Sequence, residues 1–168
     1  GSGFRMEAVA VDHRLHTLAF SLVEEPRPGR FFPEKAKDLG IPEGPLFGKL
    51  QRGETVTLAD GRNITPSMVM SPPRKGRKFV YATDTRPCLQ VIKLAQEADL
   101  LVHEGMFAHD MEEEAKIKGH STCAQAAQIA SEAKVKNLII THISTRYQRT
   151  DELLYEARTI FPNAIIGQ

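Results

Sequence analysis

Three times in this chain, a run of branched apolar residues ends on a side chain that can ligate a metal, and an earlier segment, MEAVAVDH, does much the same. MEAVAVDH stops at Asp12 and His13, KFVYATDT at Asp84, DLLVHE at His103 and Glu104, and NLIITHIS at His142. Imidazole and carboxylate are the donors that borderline divalent ions such as Zn²⁺ or Mn²⁺ accept. Each run reads as a buried strand, and open α/β sheets place their ligands at the carboxyl ends of such strands. One such ending means little. Four argue for a shared site at one sheet edge, most simply a metal site.

Singly, each residue has a plainer reading. A histidine after a strand is more often a hydrogen-bonded structural residue than a ligand. Asp84, followed by Thr85, Arg86 and Pro87, could simply open the next helix. Glu104 could be an ordinary salt-bridge partner. His120 in GHST precedes a helix that Ser121 or Thr122 could cap. His16 and His109 end no strand and keep the plainer reading.

The elements that must position these residues follow from the pattern. Alternating apolar positions over 5–25 predict two paired strands around a His-rich turn. Residues 26–77 hold eight of the ten prolines and seven of the twelve glycines, with few large apolar residues. That composition predicts an arm or excursion rather than core, mobile in character. Within it, FFPEKAKDLG predicts a short helix ended at Gly40, and ETVTLADGRNI a hairpin turning at Asp60-Gly61. From residue 78 onward, strands alternate with helices over LQVIKLAQEA, HDMEEEAKIK, TCAQAAQIASEAK and DELLYEARTIF, ending on a strand in NAIIG. This alternation predicts an α/β sheet covered by helices.

Composition bounds the rest. A chain of 168 residues, 41% hydrophobic, can bury a respectable core. Its 22 basic and 21 acidic residues nearly cancel, so global charge does not itself point to nucleic acid. Local charge does: Arg27, Arg30, Lys35, Lys37, Lys49 and Arg52 crowd the arm, and Arg74, Lys75, Arg77 and Lys78 form a second basic group. Cations spaced in this way suit phosphate contacts, which supply affinity and register rather than base identity; the plainer reading is a solvated basic surface. Two cysteines without a CxxC pair suggest a reducing, intracellular setting, cytoplasmic or, in a eukaryote, an organelle or the nucleus. No apolar run approaches the ~18 residues of a membrane span, and a signal-peptide pattern is absent.

The blocks GPLFGKLQRGETVTLADGR, PPRKGRKFVYATDTRPC, ADLLVHEGMF, GHST and LIITHISTRY, in this order, resemble the ribonuclease Z family, the tRNA 3′-processing endonucleases of the metallo-β-lactamase fold. The resemblance runs from about residue 6 to the end. It implies a fold of class α/β (α+β): the C-terminal half of an αββα sandwich over 4–25 and 71–168, with a protruding flexible arm at 26–70. It implies two zinc ions (Mn²⁺ as the alternative), with His13, Asp84 and His142 as metal ligands and Asp84 bridging. His120 matches the histidine that protonates the leaving oxygen, and Glu104 is the candidate carboxylate beside it. The arm with its Gly44-Pro45 pair matches the segment that grips the tRNA elbow. Gly44, Pro45, Lys49, Arg52, Arg74, Lys75 and Arg77 are the candidate tRNA contacts. Precursor tRNA is the implied substrate, and a homodimer the implied assembly.

Two departures stand out. The family signature HxHxDH, which supplies most metal ligands and the general base, is absent from this sequence. The chain is therefore expected to be about half of such an enzyme and inactive alone. HEGM stands where the family usually has HEAT, at Gly105 and Met106. Two other readings stay open: a tRNA-binding module with a vestigial metal site, and a small-phosphodiester hydrolase of the same fold.

Overall fold

A computed structural model describes residues 3–167. The chain divides into two compact units, one running to Glu24 and resuming at Arg77, the other spanning Glu25–Gly76.

The larger unit is a six-stranded sheet in the order β1-β2-β5-β6-β7-β8. Its strands are β1 (Phe4–Ala10), β2 (Leu18–Glu24), β5 (Lys78–Ala82), β6 (Leu100–Glu104), β7 (Leu138–Thr141) and β8 (Ala164–Ile166). β2 runs antiparallel to both β1 and β5, whereas β5 to β8 are mutually parallel. Two reversals restore direction, so β1 points the same way as β5, β6 and β7. The four ligand-bearing strand ends therefore lie at the same edge of the sheet.

The crossovers are helical, as parallel neighbours require. α4 (Leu89–Ala95) links β5 to β6, α5 (Glu112–Lys118) and α6 (Cys123–Glu132) link β6 to β7, and α7 (Asp151–Ile160) links β7 to β8. The HDMEEEAKIK segment begins as a 3₁₀ turn, His109–Met111, before α5. α4 stops at Ala95, short of its expected end, because Gln96 turns out of helical backbone (φ −48°, ψ 121°) and Glu97 follows with a left-handed φ of 53°. The cross-strand row Ser21, Val80, Leu101, Leu138, Ala164 is wholly buried and packs with Val91, Leu94, Ile129, Leu153 and the alanines of α6. Thr122 caps α6 in a reciprocal capping box with Gln125.

The opposite face of the sheet is apolar and open. Its row runs Ala8, Phe20, Tyr81, Val102, Ile139, Ile165 across all six strands, with Phe20 38%, Tyr81 41% and Ile165 49% exposed.

The smaller unit corrects one expectation. It contains α1 (Pro33–Asp38), α2 (Pro45–Gln51), a hairpin of β3 (Val56–Thr57) and β4 (Asn63–Ile64), and α3 (Pro66–Val69). Far from lacking a core, it buries Ala36, Ile41, Leu50, Val56, Ile64 and Val69, with Phe31, Leu46 and Phe47 packed against them. Its apolar residues are sparse in sequence but converge because short elements fold back on one another. The pairings Arg27 with Arg74 and Phe31 with Met70 close its base, so the unit ends at Gly76 rather than at residue 70. Among the described residues, no helix is long and apolar enough to cross a membrane.

Candidate metal and acid site

Asp84 lies just beyond β5 and His142 directly follows β7; both adopt left-handed backbone, with φ of 53° and 59°. Non-glycine residues rarely sit there. The cost is about 1–3 kcal/mol each, and such strain gathers at functional sites. It brings His142 Nδ1 to 3.3 Å from Asp84 Oδ1, and both side chains remain partly exposed. The His120 ring lies 5.2 Å from the His142 ring and 5.1 Å from that of His13, centre to centre.

Glu104, at the end of β6, is fully buried. Its Oε1 accepts the Thr85 N–H at 2.6 Å and the His120 Nδ1–H at 2.9 Å; its Oε2 accepts the Ser121 N–H at 3.0 Å. The Ser121 hydroxyl donates to the Thr85 carbonyl at 2.7 Å and closes the loop. A buried carboxylate demands such partners. The arrangement fixes the His120 ring with Nδ1 engaged and Nε2 left for chemistry.

One donor atom each from Asp84, Glu104, His120 and His142 falls within 4.8 Å of the others, spacing that suits a metal ion. The hydrogen bonds narrow that set. Glu104 already serves three N–H donors, so it orients His120 better than it could ligate an ion. Asp84, whose Oδ1 accepts the Thr83 hydroxyl at 3.2 Å, and His142 are the partly exposed members of the set, and His120 keeps Nε2 unengaged. His13 lies outside the four, its Nδ1 donating to the Gly119 carbonyl at 2.8 Å. Its Nε2 remains as a further donor of the right chemistry. The described group that could hold an ion is Asp84, Glu104, His120 and His142, and His13 is not among them.

Sequence reasoning named these five side chains but missed the groups that place them. Thr85 and Ser121 contribute only backbone N–H groups, which no residue-type search can find. Gly119 ends α5 with φ of 91°, and a Cβ there would lie 2.7 Å from His13 Nδ1. Gly105 is similarly confined: a Cβ would meet Ile140 Cγ2 at 2.5 Å and Cys123 Sγ at 3.0 Å. His103, the other strand-end histidine, lies outside the cluster. It is completely buried, its Nδ1 donates to the Glu104 carbonyl, and its Nε2 has no partner among the described residues. Burial holds its pKa below the ordinary imidazole value. Burial also pushes the Cys123 thiol up to about 12.

In the smaller unit, Gly44 (φ 133°) and Pro45 start α2, with proline in the first turn where its missing N–H costs nothing. Lys49 lies in the last turn of α2 and Arg52 caps it, paired with Glu54 at 2.9 Å. Arg74 is tied by backbone to Arg27, and Lys75 follows it outside any strand. Arg77 belongs to the larger unit, and its guanidinium forms two bonds with the Glu24 carboxylate, at 2.6 and 3.0 Å, which raise its pKa.

Residues 50–143 match the beta-lactamase superfamily domain. A ribonuclease Z of Myxococcus xanthus is 51% identical over 158 residues, covering 93% of this chain and 51% of that relative. The chain spans about half the length of the curated relatives it matches. The metallo-β-lactamase fold protein YhfI from Bacillus subtilis superposes with a TM-score of 0.62 at 19% identity, covering 100% of this chain and 47% of that one. Human tRNase Z, short form, does so with a TM-score of 0.57 at 23% identity, covering 100% and 42%. At such identities the two structures speak for the fold alone. The residues at the sheet edge thus occur in a chain that belongs to the beta-lactamase superfamily, with curated homologues named ribonuclease Z.

Proposed function

We propose that this chain is part of a zinc-dependent endoribonuclease of the ribonuclease Z type, which removes 3′ trailers from precursor tRNA. The observation that carries this reading is the buried Glu104–His120 pair beside Asp84 and His142 at one sheet edge. Asp84, His142 and His13 hold metal, with zinc the expected ion and manganese its substitute. When bound, the metal supplies Lewis-acid stabilisation of phosphoryl charge and activates water at neutral pH.

His120 acts as general acid. Glu104 holds Nδ1 and stabilises the imidazolium, so Nε2 can give its proton to the departing 3′ oxygen. Glu104 is a positioning residue, as the carboxylate behind a catalytic histidine often is. The cations Lys49, Arg52, Arg74, Lys75 and Arg77, with the Gly44-Pro45 turn, bind tRNA phosphates. The expected assembly is a homodimer in the cytoplasm.

The sequence lacks HxHxDH, and three donors do not make a two-metal centre, so the chain alone binds precursor tRNA without cleaving it. The test is a 3′-extended tRNA incubated with the chain and Zn²⁺ or Mn²⁺. Retention of the precursor, weakening as salt rises, with no cleavage is expected; turnover at ordinary enzyme rates, or no retention at low salt, would overturn the reading. The incomplete donor set also favours a second reading, a tRNA-binding module with a vestigial metal site. Zinc stoichiometry separates the two.

A further inference from the structure

We infer that Arg86 is the positioning residue for His13, locking its ring in the tautomer that presents Nε2 to the metal site. This rests on the metal reading above for its purpose, but its geometry stands independently. Arg86 lies two residues after Asp84 and joins segments far apart in sequence. Its Nη1 donates to Asp12 Oδ1 at 2.9 Å and its Nε to the Lys116 carbonyl at 2.7 Å. Its backbone N–H donates to the Asp12 carbonyl at 2.7 Å. Asp12 immediately precedes His13, and Lys116 lies in the last turn of α5, whose end, Gly119, accepts the His13 Nδ1–H.

The guanidinium thus pins the chain on both sides of the His13–Gly119 bond. Gly119 cannot gain a side chain without striking the ring. An imidazole whose Nδ1–H is committed to a carbonyl has Nε2 as its only lone pair, the arrangement typical of histidines that bind metal. Arginine suits the task because one planar fork can serve a carboxylate and a carbonyl together; a lysine ammonium has no such fork.

The test follows the ring itself by long-range ¹H–¹⁵N NMR on the whole chain, with Zn²⁺ titration as a second readout. In the parent chain His13 is expected as the Nδ1–H tautomer. Arg86→Met and Arg86→Lys should both release it to a tautomer mixture and weaken Zn²⁺ binding about 10–100-fold. Arg146→Met, which removes an exposed pair with Glu114, should change neither. Should Arg86→Met lose its folded amide spectrum, Asp12→Asn supplies the same comparison. An Nε2–H tautomer in the parent, or unaltered ring signals in folded Arg86 and Asp12 variants, would overturn the inference. A parent chain that binds no zinc would sink the metal reading, and the ring signals would still decide the clamp.

Discussion

Replacing Glu104 by glutamine should destabilise the larger unit although the two side chains are nearly isosteric. The parent carboxylate accepts three N–H groups in a fully buried place, two on Oε1 and one on Oε2. With the amide oxygen at the Oε1 position, the bonds from Thr85 and His120 survive without charge assistance, a loss of roughly 0.5–1 kcal/mol each. The amide nitrogen then faces the Ser121 N–H, donor against donor, leaving a buried group unsatisfied at about 1–3 kcal/mol. The sum is about 2–5 kcal/mol. All three tyrosines, Tyr81, Tyr147 and Tyr155, lie in the larger unit, so tyrosine fluorescence during urea unfolding follows that unit selectively. A loss below about 0.5 kcal/mol, the range of an ordinary surface change, would refute the idea that Glu104 organises the site.

Three further outcomes follow from burial. Burial disfavours the charged form of His103 and lowers its pKa in the fold. Below the unfolded value of about 6.5 the unfolded chain takes up a proton that the folded chain refuses, so stability falls as pH falls and is untouched above that value. His103→Leu should flatten this acid limb, by up to about 1.4 kcal/mol per pH unit, in urea titrations at pH 5 and 7; parallel limbs in the two proteins would contradict it. Cys123 is buried and its thiol raised to about 12, whereas Cys88 is half-buried. A thiol reagent at pH 8 should therefore label Cys88 first and Cys123 only on unfolding, as peptide mapping would show; early Cys123 labelling would count against the packing. Phe20→Thr with Tyr81→Thr, on the open sheet face, should cut binding of a dye that reports apolar surface while costing about 1 kcal/mol or less. Unchanged dye binding would mean that this face is not the exposed apolar surface.

Much of the larger unit was legible because β5 to β8 are short apolar runs and its helices carry a clear period; β1 and β2 showed only as alternation, and β1, expected to be buried, is mostly exposed. The convergence of Asp84, Glu104 and His142 followed from a single rule about strand ends, and the pair of reversals through β2 added His13 to the same edge. His120 ends no strand and entered only through its resemblance to a known motif. The fully buried Glu104 was legible as a partner for it, but not the backbone donors from Thr85 and Ser121, since main-chain groups leave no mark in residue type. The left-handed backbone at Asp84 and His142 was equally silent, because glycine would have signalled it and glycine is absent there. The smaller unit was underestimated for another reason. Phe31, Leu46, Leu50, Val56, Ile64 and Val69 are spaced without a regular period, so their convergence depends on tertiary closure. The bridges at its base carried the boundary past the expected point.

The central claim is that Asp84 and His142, assisted by His13, form a metal site. Equilibrium dialysis of the folded chain against Zn²⁺, followed by elemental analysis, tests it most directly. The account predicts about one zinc per chain, lost in Asp84→Asn and His142→Ala and retained in His109→Ala, whose histidine lies outside the site. A chain that takes up no zinc, or zinc that survives both ligand substitutions, would contradict it.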